Sequence, residues 1–158
     1  MTAMDREGVC SLPVYRRRVR SSLPVEPGGY ALVFRLDRTV RVRPGRLGMI
    51  DLTAGRYLYM GSALSGLAPR LARHLRRRKK RHWHIDALTC AVGPSQLWWS
   101  VSDARLECDW TAIALTDPSA SIPVLGFGSS DCRCASHLVS LPDLASVTRV
   151  FGVLATRA

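Results

Sequence analysis

The sequence predicts a small α/β (α+β) domain. Three features carry that expectation: a first third built of short β-forming runs between glycines, a switch to helical period at Ser65, and strand and helix patterns that alternate from there on. With 158 residues and 47% hydrophobic content, the chain fills one compact domain with a real core and is too short for two large ones. Residues 1–27 read as a flexible basic N-terminal arm. Residues 28–158 read as a single domain with a Cys-containing C-terminal loop.

After Pro27-Gly28-Gly29, the run Tyr30-Ala31-Leu32-Val33-Phe34-Arg35-Leu36 has the β-branched and aromatic content of a buried strand. Beyond a turn at Asp37-Arg38, Val40 and Val42 alternate with Arg41 and Arg43, which predicts a hairpin partner stopped by Pro44-Gly45. A short strand over 47–52 and a firmer one over 56–60, bounded by Gly55 and Gly61, complete the β-rich third. From Ser65, Leu67, Leu71 and Leu75 share one helical face, while Arg70, Arg73, His74 and Arg77 share another, and Pro69 suits the first turn. The segment HWHIDAL predicts a second helix ended by Gly93-Pro94. Residues 97–101 (LWWSV) then read as a strand and 104–115 as a helix capped by Ser102 or Asp103. The tail from Ser119 is Gly-, Ser- and Cys-rich, with a weak apolar pattern after Thr148 and no internal repeats.

The charge is large and local. The chain carries +11 overall, with 19 basic and 5 acidic residues before position 82, and 4 and 7 after it. A concentrated Arg-rich face points to nucleic acid, with an anionic membrane surface second. No apolar run has the length to span a bilayer, and no apolar stretch follows YRRRVR as it would in a secretory signal, so the expectation is an intracellular, cytoplasmic protein. Five cysteines, an odd number, argue against a disulfide framework and leave free thiols or a metal site.

Gly28-Gly29-Tyr30, Tyr59-Met60-Gly61, LAPRLARH, Glu107 in RLECDW, HWHID and GFGSSDCRCASHL occur in that order. Together they resemble the GIY-YIG nuclease superfamily, in particular its branch of small stand-alone Uri-type endonucleases. The resemblance implies a central antiparallel sheet flanked by helices. It also implies metal-dependent hydrolysis of nucleic acid, DNA favoured, without a membrane partner. The first motif can be supplied by Tyr30 or, because the gap from 30 to 59 is long, by Gly55-Arg56-Tyr57. The alternative function is a nucleic-acid-binding accessory module that keeps the nuclease scaffold without catalysis.

On this resemblance Arg70 offers a fork of donors to the scissile phosphate, and Glu107 holds one Mg²⁺ or Mn²⁺ whose octahedron waters and substrate complete. Tyr30 and Tyr59 present hydroxyls near the attacking water or the phosphate, and the resemblance implies that one of them helps deprotonate the nucleophile. A tyrosine with an ordinary pKa near 10 needs a metal or arginine beside it to act as a base. Gly61 and Ser62 would let the backbone approach a phosphate, and His74 would contact phosphate or assist proton transfer. Arg73, Arg77, Arg78, Lys79 and Lys80 would steer the backbone into the cleft.

Two further groups have metal-compatible chemistry. His82, His84 and Asp86 alternate and would converge on an ion only if extended, so structure or substrate contact is the favoured reading. Asp131, Cys132, Cys134 and His137, with Cys108 as a potential fifth member, offer soft ligands for zinc. The favoured account there is a Gly-Ser loop whose thiols pack near the active-site face. Trp83, Trp98 and Trp99 are open to either base stacking or core packing.

Overall fold

The computed structural model describes residues 7–11 and 22–156. In chain order the described residues form β1 (Glu7–Ser11), β2 (Gly28–Leu36), β3 (Val40–Val42), β4 (Ile50–Leu52), β5 (Gly55–Ala63), α1 (Leu67–Leu75) and α2 (His84–Ala91). These are followed by β6 (Gln96–Val101), α3 (Glu107–Ala114), β7 (Leu138–Leu141) and α4 (Leu144–Ala155). Five strands make one sheet in the order β1-β6-β2-β5-β7, and every neighbouring pair in it is antiparallel. The fold is the mixed α+β arrangement that the sequence predicts.

The two central strands read as unbroken apolar runs because both faces of the sheet are covered. Tyr30, Leu32 and Phe34 of β2 and Tyr57 and Tyr59 of β5 face α1 and α2, where they meet Leu67, Leu71, Leu75, Ile85 and Leu88. Their alternates Ala31, Val33, Leu58 and Met60 face α3 and α4, packing with Trp110, Ala114, Val147, Val150 and Phe151. Trp98 stacks on Phe151 with ring centroids 3.5 Å apart, which assigns this tryptophan to packing rather than to bases. Each fully buried Leu or Phe contributes roughly 1.5–3 kcal/mol, so these two clusters carry most of the stability.

The expected hairpin between residues 30–36 and 40–43 does not form. Both edges of β2 are taken, by β5 and β6, so β3 turns away and pairs with β4 as a separate two-stranded ribbon. Arg41 and Asp51 sit opposite each other in that ribbon and make a bidentate pair of 2.7 and 2.9 Å. Gly45–Leu47 is a 3₁₀ turn, so β4 is shorter than the strand expected over 47–52. The long gap between Tyr30 and Tyr59 is this ribbon, inserted into what is otherwise one β2–β5 hairpin.

The N-terminal arm is corrected in two places. Glu7–Ser11 pairs with Gln96–Ser100 as an edge strand. Residues 22–27 are docked: Leu23 is buried, and the carbonyls of Pro24 and Glu26 accept the otherwise unpaired Ala68 and Leu67 N–H groups at the start of α1. Residues 1–6 and 12–21 lie outside the described residues.

Helix α1 stops at Leu75, where the basic run begins. Lys79 Nζ donates to the Arg73 and His74 carbonyls and so satisfies acceptors that a further turn would have used. Helix α3 begins at Glu107 rather than at 104, because Ser102 Oγ closes a local turn on Ala104 N and Ser62 Oγ takes Leu106 N. In the tail, Asp143 caps α4 through Ser146 N at 2.8 Å, and Ser121 exchanges backbone hydrogen bonds with Ser140 at the outer edge of β7. Among the described residues no helix is long and apolar enough to cross a membrane.

Candidate active site

The carboxyl half of β5, the start of β2, α1, the N-terminal turns of α2 and α3, and the loop before β7 enclose a cleft of about 550 Å³. Tyr30 and Tyr59, Arg70 and Glu107 all line it. Antiparallel register puts Tyr30 opposite Gly61, and its ring crosses that glycine so closely that an added Cβ would lie 2.4 Å from the phenol. Gly61 is therefore required by the tyrosine ring. The expected turn after residue 60 is strand, and Gly61 and Ser62 belong to β5. Tyr59 is seated in the same way on Gly128, whose φ of +72° also favours glycine, and it meets Phe127 edge-on.

Tyr30 Oη hydrogen-bonds His74 Nε2 at 2.8 Å. Burial pushes the Tyr30 hydroxyl up to about 12, outweighing the Arg70 charge, and holds Tyr59 well above its ordinary value as well. His74 is 1% exposed, so it cannot be the surface phosphate contact expected from its helical face. Burial, followed by the Lys79 charge, lowers its pKa to about 3, which keeps the ring neutral. Its Nδ1 is buried without a hydrogen-bond partner. Tyr57 supplies no alternative first motif in the cleft, because its hydroxyl donates to the Thr53 carbonyl at 2.8 Å.

Arg70 donates to the Ser62 carbonyl at 3.2 Å and lies 4.4 Å over the Trp83 ring, a stack that orients the guanidinium while leaving it further donors. The Ser62 hydroxyl hydrogen-bonds Glu107 Oε2 and accepts from Leu106 N at 2.9 Å. Glu107 is buried at the first position of α3, where the helix dipole favours a carboxylate. Arg105 Nη1 stands 3.6 Å from Glu107 Oε1 and 3.3 Å from Asp131 Oδ2. The sequence reading gave Arg105 no role. Its only signal there was its position two residues before the glutamate.

The basic segment separates into two kinds of residue. Arg73 forms a bidentate pair with buried Asp86 at 2.6 and 2.8 Å and also packs on the Trp83 ring, 4.3 Å from its centroid. Arg77 donates to the Cys90 and Ala91 carbonyls at the end of α2, and Lys79 to Thr89 Oγ1 at 2.7 Å. These three side chains tie α1, the connecting segment and α2 together. Arg78 and Lys80 are exposed.

Asp86 cannot join a metal site with His82 and His84. It is fully buried, accepts from the His82 and Trp83 backbone N–H groups at 2.7 and 3.0 Å, and caps α2. Hydrogen bonds, chiefly from Arg73, outweigh burial and lower its pKa to about 2. His84 Nδ1 accepts from Gly128 N at 3.0 Å, and both histidines line the cleft, as the structural or substrate-contact reading expects.

The cysteines are different. Cys108 on α3, Cys132 and Cys134 on the following loop, and His137 place their ligand atoms within 4.8 Å of one another, a cluster that could hold a metal ion. Cys132 Sγ lies 3.4 Å and Cys108 Sγ 3.7 Å from His137 Nε2. Burial, then hydrogen bonding to Cys134 and Cys132, pushes the Cys108 thiol up to about 12, while burial lowers His137. Asp131 lies beside the cluster but pairs with Arg105. His137 also lines the cleft, so the two sites share a wall.

Residues 29–156 match the family model described as "Domain of unknown function DUF123", and the chain belongs to that family. Neither the curated proteins nor the solved structures compared with it give a match.

Proposed function

We propose that the cleft binds a phosphodiester of nucleic acid, DNA favoured, and hydrolyses it, making the protein an intracellular endonuclease of GIY-YIG type. One observation carries the reading: Tyr30, Tyr59, Arg70 and Glu107, which the resemblance singles out, line a single cleft although they come from four different elements. Two of those residues sit in deep packing that a plain strand aromatic would not require. Their rings displace any side chain at Gly61 and Gly128.

Arg70, already oriented by Trp83 and the Ser62 carbonyl, supplies paired donors for phosphoryl oxygens where charge develops. Tyr30 and Tyr59 stay protonated near neutrality, and the hydrogen bond to neutral His74 fixes the direction of the Tyr30 hydroxyl. The Glu107 carboxylate and the Ser62 hydroxyl are oxygen donors, a set that fits a hard Mg²⁺ or Mn²⁺. Such an ion, when bound, lowers the pKa of a coordinated water and offsets negative charge on the phosphate. The exposed Arg78 and Lys80 lie in the run that leads directly into cleft residue His82 and would attract the backbone.

A second reading, a binding module without turnover, draws on the fact that Ser62 and Arg105 already engage the Glu107 carboxylate. Labelled single-stranded, duplex and branched DNA incubated with Mg²⁺ or Mn²⁺ separates the two. On the nuclease reading the wild type cleaves, and Arg70→Ala lowers kcat at saturating substrate by roughly 10²–10³-fold. Glu107→Ala is expected to lower metal-dependent cleavage. Activity unchanged in both variants sinks the nuclease assignment, and salt-sensitive binding without cleavage selects the module.

A further inference from the structure

We propose that Cys108, Cys132, Cys134 and His137 form a closed, structural zinc site that clamps the loop over residues 126–137 onto the first turn of α3. The site stands whether or not the cleft cuts nucleic acid.

A tetrahedral zinc with Zn–S near 2.3 Å and Zn–N near 2.0–2.1 Å requires S···N separations of about 3.5 Å and S···S separations of about 3.8 Å. Two of the three sulfur-to-imidazole distances are 3.4 and 3.7 Å, and all four ligand atoms fall within 4.8 Å of one another. The three thiols are not consumed by disulfides. Three sulfurs and one imidazole are soft and borderline donors, which select zinc over Mg²⁺ or Ca²⁺. Four protein ligands fill the coordination sphere, the mark of a structural rather than a catalytic ion.

The surroundings supply a second line of support. The loop itself has little regular structure: two glycines at positive φ, and long-range backbone bonds from Gly126 to Ala135 and from His137 to Phe127. A segment so weakly tied gains most from an ion that joins its two arms to a helix. That ion would hold Gly128 against Tyr59, Asp131 against Arg105, and Cys108 next to Glu107, so it would set one wall of the cleft without touching substrate.

The test is the metal content of the full chain purified under reducing conditions, followed by replacement with Co²⁺. One zinc per chain is expected, and the cobalt form should show thiolate-to-metal charge transfer and the intense d–d absorption of a tetrahedral site. Cys134→Ser and the double variant Cys132→Ser/Cys134→Ser should lose zinc and unfold at lower temperature. Cys90→Ser, a free thiol outside the cluster, should keep both properties. Zinc well below one per chain in the wild type, or retention unchanged in the double variant, overturns the proposal. Should the cysteine variants fail to fold, the wild-type cobalt spectrum decides: absence of the charge-transfer band refutes the site.

Discussion

The two faces of the β2–β5 pair are made by alternate residues of the same two segments, yet only one face borders the cleft. On one side Tyr30 and Tyr59 lie across glycines, beneath a neutral buried histidine, at the wall of the cleft. On the other, Ala31, Val33, Leu58 and Met60 pack against α3 and α4 in a cluster of apolar side chains. A slip of one residue in the pairing would exchange the two sets. The plain face therefore fixes the register on which the cleft-lining face depends, since moving Tyr30 away from Gly61 would leave its ring without room.

Three variants probe this division, from the largest expected effect downwards. On the plain face, Phe151→Ala removes the partner of Trp98 and leaves a cavity in a closed cluster. A loss of about 3–5 kcal/mol in urea unfolding is expected. On the cleft-lining face, the folded His74 resists protonation until about pH 3, whereas the unfolded residue titrates at its ordinary 6.5. The unfolded state thus binds more protons in between, so wild-type stability should be full above pH 6.5 and fall as pH drops toward 3. The slope is at most about 1.4 kcal/mol per pH unit, and His74→Gln should flatten that limb. A wild-type profile that is level over this range would remove the neutral-histidine account. Outside both faces, Arg78→Ala with Lys80→Ala should leave thermal unfolding within about 0.5 kcal/mol of wild type. The same pair should weaken DNA binding and make the plot of log K against log salt shallower by roughly 0.9 for each lost phosphate contact.

The sequence made local features legible. Leu67, Leu71 and Leu75 announce the buried face of α1, and the glycine-bounded aromatic runs announce the central strands, because period and turn chemistry act over a few residues. The four cleft residues were readable through their motifs. What escaped depends on partners distant in the chain. Val40–Val42 looks like a hairpin mate for β2, and only the claims of β5 and β6 on that strand send it to β4. Arg77 and Lys79 have the same composition as Arg78 and Lys80, and what separates them is the position of α2, which accepts the first two. The cysteine cluster gathers Cys108 from a helix that local spacing around Cys132 cannot reveal. At four residues, β7 is too short for alternation to register.

The pairing of Glu7–Ser11 with β6 has a consequence for handling the protein. Without that strand, the outer edge of β6 would present open backbone N–H and C=O groups beside Leu97, Trp98 and Trp99. Unpaired backbone flanked by aromatic and aliphatic side chains recruits a second chain into intermolecular sheet, which is how edge strands seed aggregates. A segment whose composition suggests a dispensable basic tail is thus a guard strand. Trimming the polypeptide at Gly28 would remove a safeguard against self-association together with the charge.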